Sequence, residues 1–196
     1  MKPLYFLIVL FVTISSVAFS QATYLGGTYS IGIPLGGIEN YISAGSFRGA
    51  NFEGLKEINS RVAVGWILGW NVFSEKRVNE VYTYDNITLT GTQYRYMNLF
   101  PMLARGLYEF GETGGTRPFA GSGIGVTADI AKTNVGLYSF QKNGWHFTLA
   151  PEVGIRIPIG YGSITSSLRY TYGVKTKEID RISYFSINLG MLWGEE

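Results

Sequence analysis

Apolar and polar side chains alternate almost without interruption along the stretch from Trp145 to Pro158. One parity is apolar, and it comprises Trp145, Phe147, Leu149, Pro151, Val153, Ile155 and Ile157. The other parity is mostly small, polar or charged, and it comprises His146, Thr148, Ala150, Glu152, Gly154, Arg156 and Pro158. Because successive side chains of a β-strand point to opposite faces, this pattern predicts a strand with one apolar and one polar face.

Similar alternation recurs along the rest of the chain. We predict eight strands, which span approximately Tyr24–Pro34, Ser46–Ile58, Arg61–Phe73, Thr92–Phe110, Arg117–Asp129, Trp145–Pro158, Gly162–Val174 and Ile182–Trp193. In the fourth strand Arg105 falls on the otherwise apolar parity. We expect a bulge near Pro101 to exchange the two faces there, since prolines within strands often mark bulges.

The connections between these strands alternate in length. The short ones are Asn59-Ser60, Gly111–Thr116 and Gly160-Tyr161. The longer and more polar ones are Leu35–Ala44, Ser74–Gly91, Ile130–Gly144 and Lys175–Arg181. Short turns at one end and long loops at the other are typical of bacterial outer-membrane barrels, in which the turns face the periplasm.

The N-terminal segment has the organisation of a secretory signal peptide. Lys2 precedes the apolar run Leu4–Ile14, and small residues flank a cleavage position after Ser20, with Ala22 as an alternative. We therefore assign residues 1–20 to the signal and residues 21–196 to a single barrel domain. No later apolar run is long enough for a transmembrane helix, so a membrane-spanning version of this chain must be a closed barrel.

Composition excludes several classes of function. The net charge of +2 gives no indication of a nucleic-acid partner. The chain has no cysteine and a single histidine, His146, which argues against a disulfide framework and a zinc site. We predict no cofactor and no metal. The 26 glycines and the aromatic content of 15% suit a β-protein better than a helical one.

The polar parities predict a charged cluster inside the barrel, and its candidate residues are Glu53, Arg61, Glu152, Arg156 and Arg169. If Gly160-Tyr161 is a two-residue hairpin turn, Glu152 lies opposite Arg169, where opposite charges form an ion pair. An eight-stranded barrel is nearly filled by its own side chains, so we expect these residues to plug the lumen. We interpret the four tryptophans as membrane-interface residues, namely Trp66, Trp70, Trp145 and Trp193.

Two patterns could indicate catalysis or nucleotide binding, and both are better explained structurally. His146, Thr148 and Glu152 share a strand face, but residues two apart on a strand are separated by roughly 7 Å, and a deacylase site would have to face lipid. The glycines of Gly121–Gly125 lack the spacing of a dinucleotide-binding loop and no helical pattern follows them. We therefore predict that the protein is not an enzyme.

With its signal segment, its eight alternating strands and a last strand ending in Trp193, the chain resembles the small outer-membrane β-barrels of Gram-negative bacteria, the OmpA/OmpX/OmpW-like proteins. The resemblance covers the mature chain. It implies an all-β, eight-stranded antiparallel barrel in the outer membrane, contact with its lipid and lipopolysaccharide, and insertion by the barrel-assembly machinery. Gly194-Glu195-Glu196 departs from the family, in which the aromatic is often the last residue.

Four functions remain open from the sequence. The first is a structural or surface-interaction role in which the loops Ser74–Gly91 and Ile130–Gly144 contact an unidentified partner, because binding usually resides in loops on a rigid scaffold. The second is a narrow channel for small or hydrophobic solutes. The third is a lipid-modifying enzyme. The fourth is a secreted lipocalin-like barrel, which would need its apolar face inside.

Overall fold

A computed structural model of the protein describes residues 23–84, 87–111, 114–175 and 180–195. The predicted signal segment and both cleavage positions lie outside these residues. The secondary-structure elements are β1 (Thr23–Leu35), α1 (Gly36–Tyr41), β2 (Ser46–Glu57), β3 (Val62–Tyr84), β4 (Ile87–Glu109), β5 (Arg117–Val135), β6 (Tyr138–Ile159), β7 (Gly162–Gly173) and β8 (Ile182–Glu195).

The eight strands form a closed antiparallel barrel in which every strand pairs with its sequence neighbours and β1 pairs with β8. The fold class predicted from the sequence is therefore confirmed. We call the end that carries the β2–β3, β4–β5 and β6–β7 connections the turn end, and the opposite end the loop end. Closure leaves no unpaired edge along the wall, which is the requirement for strands that cross lipid.

The alternation along β6 has the predicted orientation. Leu149 and Val153 are exposed on the outer surface, whereas Glu152 and Arg156 are buried in the lumen. Exposed apolar side chains also cover the outer face of β1, β3 and β8, as Leu25, Leu68 and Leu189 illustrate. The barrel is thus apolar outside and largely polar inside, the reverse of a soluble lipocalin-like barrel.

Two of the predicted long loops are strands instead. β3 and β4 stay paired as far as Tyr84 and Ile87, and β5 and β6 stay paired as far as the turn at Gly136-Leu137. The predictions of loops at Ser74–Gly91 and Ile130–Gly144 are therefore wrong. The polar residues of these segments lie in paired strands, so they do not mark a loss of β-structure.

The predicted bulge near Pro101 is absent. β4 pairs with β5 in an unbroken register from Gln93 to Glu109, and Pro101 lies opposite Thr127 within it. The apolar parity of β4 faces the lumen along its whole length, with Leu99, Leu103 and Arg105 all buried. The sequence suggested a change of face because β4 buries apolar side chains where the other strands bury polar ones.

The connection Leu35–Ala44, predicted as a loop, contains the short helix α1, which lies over the loop end of the lumen. Ile38 and Ile42 are almost completely buried there. They belong to an apolar cluster whose remaining buried members are Phe73, Met97, Leu99, Ile182 and Tyr184. The helix therefore contributes the outermost layer of the barrel's interior.

No helix in the part of the chain that the structure describes is long and apolar enough to cross a membrane.

Candidate functional site

The middle of the lumen contains four charged side chains that we call the central quartet: Glu53, Arg105, Glu152 and Arg169. Each carboxylate contacts both guanidinium groups. Glu53 is 2.5 Å from Arg105 and 3.4 Å from Arg169, and Glu152 is 2.5 Å from Arg105 and 3.1 Å from Arg169. All four side chains are buried and the formal charges cancel, so no charge in the quartet lacks a partner.

The sequence correctly predicted one edge of this quartet. Glu152 and Arg169 are register partners on β6 and β7, as a two-residue turn at Gly160-Tyr161 requires. Arg105 was not predicted as a partner, because it falls on the otherwise apolar parity of β4, and that parity looked like an outer face. Its contacts with Glu53 and Glu152 cross the lumen, and no local spacing in the sequence records a contact of that kind.

Neutral polar side chains extend the central quartet toward β1 and β8. The Thr28 hydroxyl donates a hydrogen bond of 3.0 Å to Glu53, and the Asn51 amide donates bonds to Thr28 and to Asn188. These contacts occupy further acceptor positions on buried carboxylate and amide groups, which would otherwise be costly to bury. They give the central quartet a fixed geometry.

A second group of four charges, the turn-end quartet, lies nearer the short connections and comprises Glu57, Glu109, Arg117 and Arg156. Arg117 Nη1 lies 2.9 Å from Glu57 and 3.2 Å from Glu109. Arg156 Nη2 contacts the same two carboxylates, at 2.6 Å in the case of Glu109. Arg156 therefore lies in the lumen as predicted, with Thr165 as its register partner on β7 and with Glu57 and Glu109 as its ion-pair partners.

The placement of Arg61 in the lumen cluster is wrong. Arg61 has the inward parity of β3, but it precedes the first residue of that strand, Val62, and its side chain is exposed at the turn. Its guanidinium contacts the hydroxyl of Tyr108 at 3.5 Å. Parity determines the face of a side chain only while the chain remains in the sheet.

Apolar side chains fill the space around the two quartets. One cluster comprises Tyr24, Leu55, Ala63, Leu107, Phe119 and Leu192. A smaller one comprises Ile67, Leu103 and Ala150. With the cluster beneath α1, the described residues supply three apolar groups and two charged quartets inside one narrow barrel. The lumen is therefore occupied by packed side chains over much of its length.

His146 is buried at the loop end and both of its ring nitrogens have partners. Nε2 lies 2.9 Å from Asp129 and Nδ1 lies 2.8 Å from the carbonyl oxygen of Val174. The Thr148 hydroxyl lies instead within hydrogen-bond distance of the Thr127 hydroxyl, at 2.8 Å, and of the carbonyl oxygen of His146, at 3.1 Å. The imidazole has no nitrogen directed at a hydroxyl nucleophile, so this group does not have the geometry of an esterase site.

Among the described residues, no group of three or more His, Asp or Glu side chains is arranged to hold a metal ion.

The four tryptophans all lie on the outer surface of the barrel. Trp145 is the most exposed and lies toward the loop end, whereas Trp193 lies at the turn end beside Gly162. Trp66 packs edge-to-face against Phe52, and Trp70 stacks on Phe100. Their assignment to the membrane interfaces remains a prediction.

A four-stranded sheet projects beyond the rest of the wall at the loop end. It is formed by the distal halves of β3, β4, β5 and β6, and we call it the projecting sheet. The pairing of β6 with β7 begins only at Thr148, so residues 138–146 of β6 extend past their neighbour on that side. Large apolar side chains are exposed on it: Val78, Val81, Tyr94, Leu137 and Tyr138.

No family model and no curated protein matches the sequence. Among solved structures, the chain is similar to Ail, the attachment invasion locus protein of Yersinia pestis, with a TM-score of 0.52 and 14% identity over 90% of this chain and 99% of that one. The fold is that of a small outer-membrane β-barrel. The N-terminal β-barrel domain of Pseudomonas aeruginosa OprF is similar as well, with a TM-score of 0.51 and 12% identity over 89% of this chain and 98% of that one.

Neisserial surface protein A belongs to the same group of structures, with a TM-score of 0.50 and 12% identity over 89% of this chain and 95% of that one. Identities this low carry the architecture of the outer-membrane barrel and no residue-level role. The roles of individual residues therefore follow only from the side chains of this chain, above all those of the two quartets and the projecting sheet.

Proposed function

We propose that the protein is an integral outer-membrane barrel with a closed lumen, and that its projecting sheet contacts a partner at the cell surface. The observation that carries the proposal is the combination of a lumen crossed by ion pairs with a sheet that exposes large apolar side chains beyond the wall. The barrel serves as a rigid support and the sheet is the contact surface.

The location rests on two features. The outer surface of the wall is apolar, and the sequence predicts an export signal at residues 1–20. In this location the wall contacts outer-membrane lipid and, at the loop end, lipopolysaccharide. The last strand, with its aromatic Trp193, is the segment we expect the barrel-assembly machinery to recognise.

The closed lumen favours a structural role over transport. A solute crossing the barrel would have to separate Glu53 and Glu152 from Arg105 and Arg169, and each of these charges is buried. Breaking such a pair leaves an uncompensated charge in a medium of low dielectric constant. We therefore expect no sustained conductance in planar bilayers, and a sustained conductance would support the channel instead.

The contact surface centres on the turn at Gly136-Leu137. A groove of about 540 Å³ beside this turn is lined by residues that include Tyr94, Val135, Leu137 and Tyr138. Exposed apolar patches bordered by polar residues commonly mark sites of protein interaction. Ail, one of the structurally similar barrels, is named for attachment and invasion, which is a surface role of the same general kind.

The test is adhesion to cultured epithelial cells by bacteria that display the chain and lack other adhesins. The double variant Leu137→Ser, Tyr138→Ser removes the apolar contact at the turn, so we expect its adhesion to fall toward that of bacteria without the protein. Tyr161→Ser is the matched control, because Tyr161 is also a highly exposed turn residue but lies at the opposite end of the barrel.

Protease treatment of intact cells tests which end of the barrel faces the outside of the cell. Cleavage within the projecting sheet together with protection of the turn at Gly160-Tyr161 would agree with the proposal. Adhesion that the double variant leaves unchanged, at equal surface amounts of protein, would overturn the role of the sheet.

A further inference from the structure

A cavity of about 380 Å³ opens at the turn end of the barrel. Its wall includes Arg117, Arg156 and Ser163, with Tyr24 and Tyr161 as aromatic neighbours and Gly194 of β8 beside them. A volume of this order is large enough for a small organic ligand. The cavity faces the periplasm in the orientation proposed above.

Two of the residues that line the cavity each carry a buried polar atom without a hydrogen-bond partner: Arg156 Nη1 and Ser163 Oγ. The residues that carry them are only 4% and 3% exposed. Buried donors are almost always paired with protein, water or ligand atoms, so an unpaired guanidinium nitrogen beside a cavity indicates a missing acceptor.

The fold holds Arg156 in place without using this nitrogen. Its guanidinium lies over the Tyr24 ring at 4.9 Å from the centroid, and its ion pairs to Glu57 and Glu109 are made through Nη2. Arg117 makes its own ion pairs through Nη1. Each arginine thus uses one of its two terminal guanidinium nitrogens for the ion pairs of the turn-end quartet.

The charge of the cavity wall is asymmetric. Glu57 and Glu109 are not among the residues that line the cavity, whereas both arginines are. The wall therefore presents guanidinium and hydroxyl donors and no carboxylate. Guanidinium groups match the geometry of carboxylate and phosphate oxygens, with which they form charge-assisted hydrogen bonds.

We propose that this cavity is a binding site for an anionic group, a carboxylate or a phosphate, held by Arg156 and Ser163 with Arg117 alongside. Two sources offer this chemistry at the turn end: a small soluble anion of the periplasm and the headgroup of an anionic phospholipid of the inner leaflet. The shared requirement is an oxygen anion that accepts from Arg156 Nη1 and Ser163 Oγ.

The experiment uses the full chain in nanodiscs of phosphatidylcholine, with the backbone amides of Gly162 and Gly194 followed by NMR. Inorganic phosphate and acetate are titrated separately, and sodium chloride at equal ionic strength reports screening alone. We expect saturable shifts of these amides with phosphate or acetate. If instead they shift only when phosphatidylglycerol is included in the nanodisc, the anion comes from the lipid headgroup.

Ser163→Ala removes one donor without enlarging a side chain, and we expect it to weaken binding about tenfold. Ser167→Ala is the matched control, because Ser167 lies on the same face of β7 but accepts a hydrogen bond from Asn188 away from the cavity. Arg156→Lys retains the charge and loses the planar fork, so it should weaken carboxylate and phosphate binding as well.

The proposal is overturned if neither soluble anion nor phosphatidylglycerol produces a shift beyond that of sodium chloride. It is equally overturned if Ser163→Ala binds as tightly as the unchanged chain, since the anion would then lie elsewhere. Water molecules alone would in that case satisfy Arg156 and Ser163.

Discussion

Glu152 lies directly opposite Arg169 on neighbouring strands, with a carboxylate oxygen 3.1 Å from Nη2 of the guanidinium. The pair is one edge of the central quartet, in which Arg105 and Glu53 complete a closed ring of contacts. Each of these four side chains has two partners of opposite charge, so the loss of one member changes the environment of the other three.

Removing the charge of Glu152 should destabilise the barrel strongly. Glu152→Gln leaves Arg105 and Arg169 with Glu53 as their only carboxylate, and an uncompensated buried charge costs about 3–5 kcal/mol. Urea unfolding in detergent, followed by intrinsic fluorescence, measures the free energy of unfolding. Glu39→Gln is the control, because Glu39 is exposed in α1. Equal stability of the two variants would contradict the quartet's role.

The closure of β1 onto β8 should be sensitive to a single methyl group. A Cβ added at Gly26 would lie 2.0 Å from the carbonyl oxygen of Met191, whereas one added at Gly27 would lie 3.5 Å from its nearest neighbour, the carbonyl oxygen of Asn51. We expect Gly26→Ala to cost about 1–3 kcal/mol or more and Gly27→Ala to change stability by no more than about 0.5 kcal/mol.

The yield of folded barrel and its urea midpoint distinguish these two glycine variants. Both variants exchange glycine for alanine at adjacent positions of β1, so the intrinsic backbone preference of the residue changes equally in the two. A Gly26→Ala barrel that folds and unfolds like the Gly27→Ala barrel would show that the strands separate at little cost.

The connection that follows α1 should loosen in acid. Burial raises the pKa of the Glu75 carboxyl, but hydrogen bonds from the Ser43 amide and hydroxyl, together with Arg77, outweigh burial and hold the pKa below its ordinary value of 4.5. A lowered pKa in the folded state means that this stabilisation is complete above pH 4.5 and is lost as pH falls through the folded value.

The chemical shift of the Ser43 amide measures that change directly. We expect it to titrate with a midpoint below 4.5, and Glu75→Gln should abolish the titration while leaving the barrel intact. A midpoint at or above 4.5 in the unchanged protein would contradict the inferred balance of burial and hydrogen bonding.

The outer tryptophans should lie at the membrane interfaces. Single-tryptophan chains that retain Trp145 or Trp193, with the others changed to phenylalanine, can be placed in bilayers of brominated phospholipids. We expect bromines near the headgroups to quench both more strongly than bromines near the ends of the acyl chains. Quenching that is strongest in the bilayer centre would remove them from the interface.

The sequence predicted the wall of the barrel more reliably than its interior. A period of two identifies a strand and its faces, and a two-residue turn then determines the partner of Glu152 without further information. The same reasoning failed for β4, because its inward parity is apolar around Leu99 and Leu103 and therefore looked like an outer face.

The ends of the elements were also difficult to predict from the sequence. Polar residues between Ser74 and Gly91 looked like a loop because they lack the alternation of apolar and polar side chains that marked the other strands. Arg61 was wrongly placed in the lumen at the other end of β3, because that strand begins one residue after it, at Val62. Contacts across the lumen, such as Arg105 with Glu53, depend on closure of the whole barrel and have no counterpart in local sequence.

The two quartets have a mechanical consequence. Hydrogen bonds between neighbouring strands fix the circumference of a closed sheet but leave its cross-section free to flatten. Ion pairs join β2, β4 and β6 across the lumen at two levels along the barrel axis. At one level Arg105 contacts Glu53 and Glu152, and at the other Arg156 contacts Glu57 and Glu109. We therefore expect these charge pairs to resist flattening of the barrel under the lateral pressure of the bilayer.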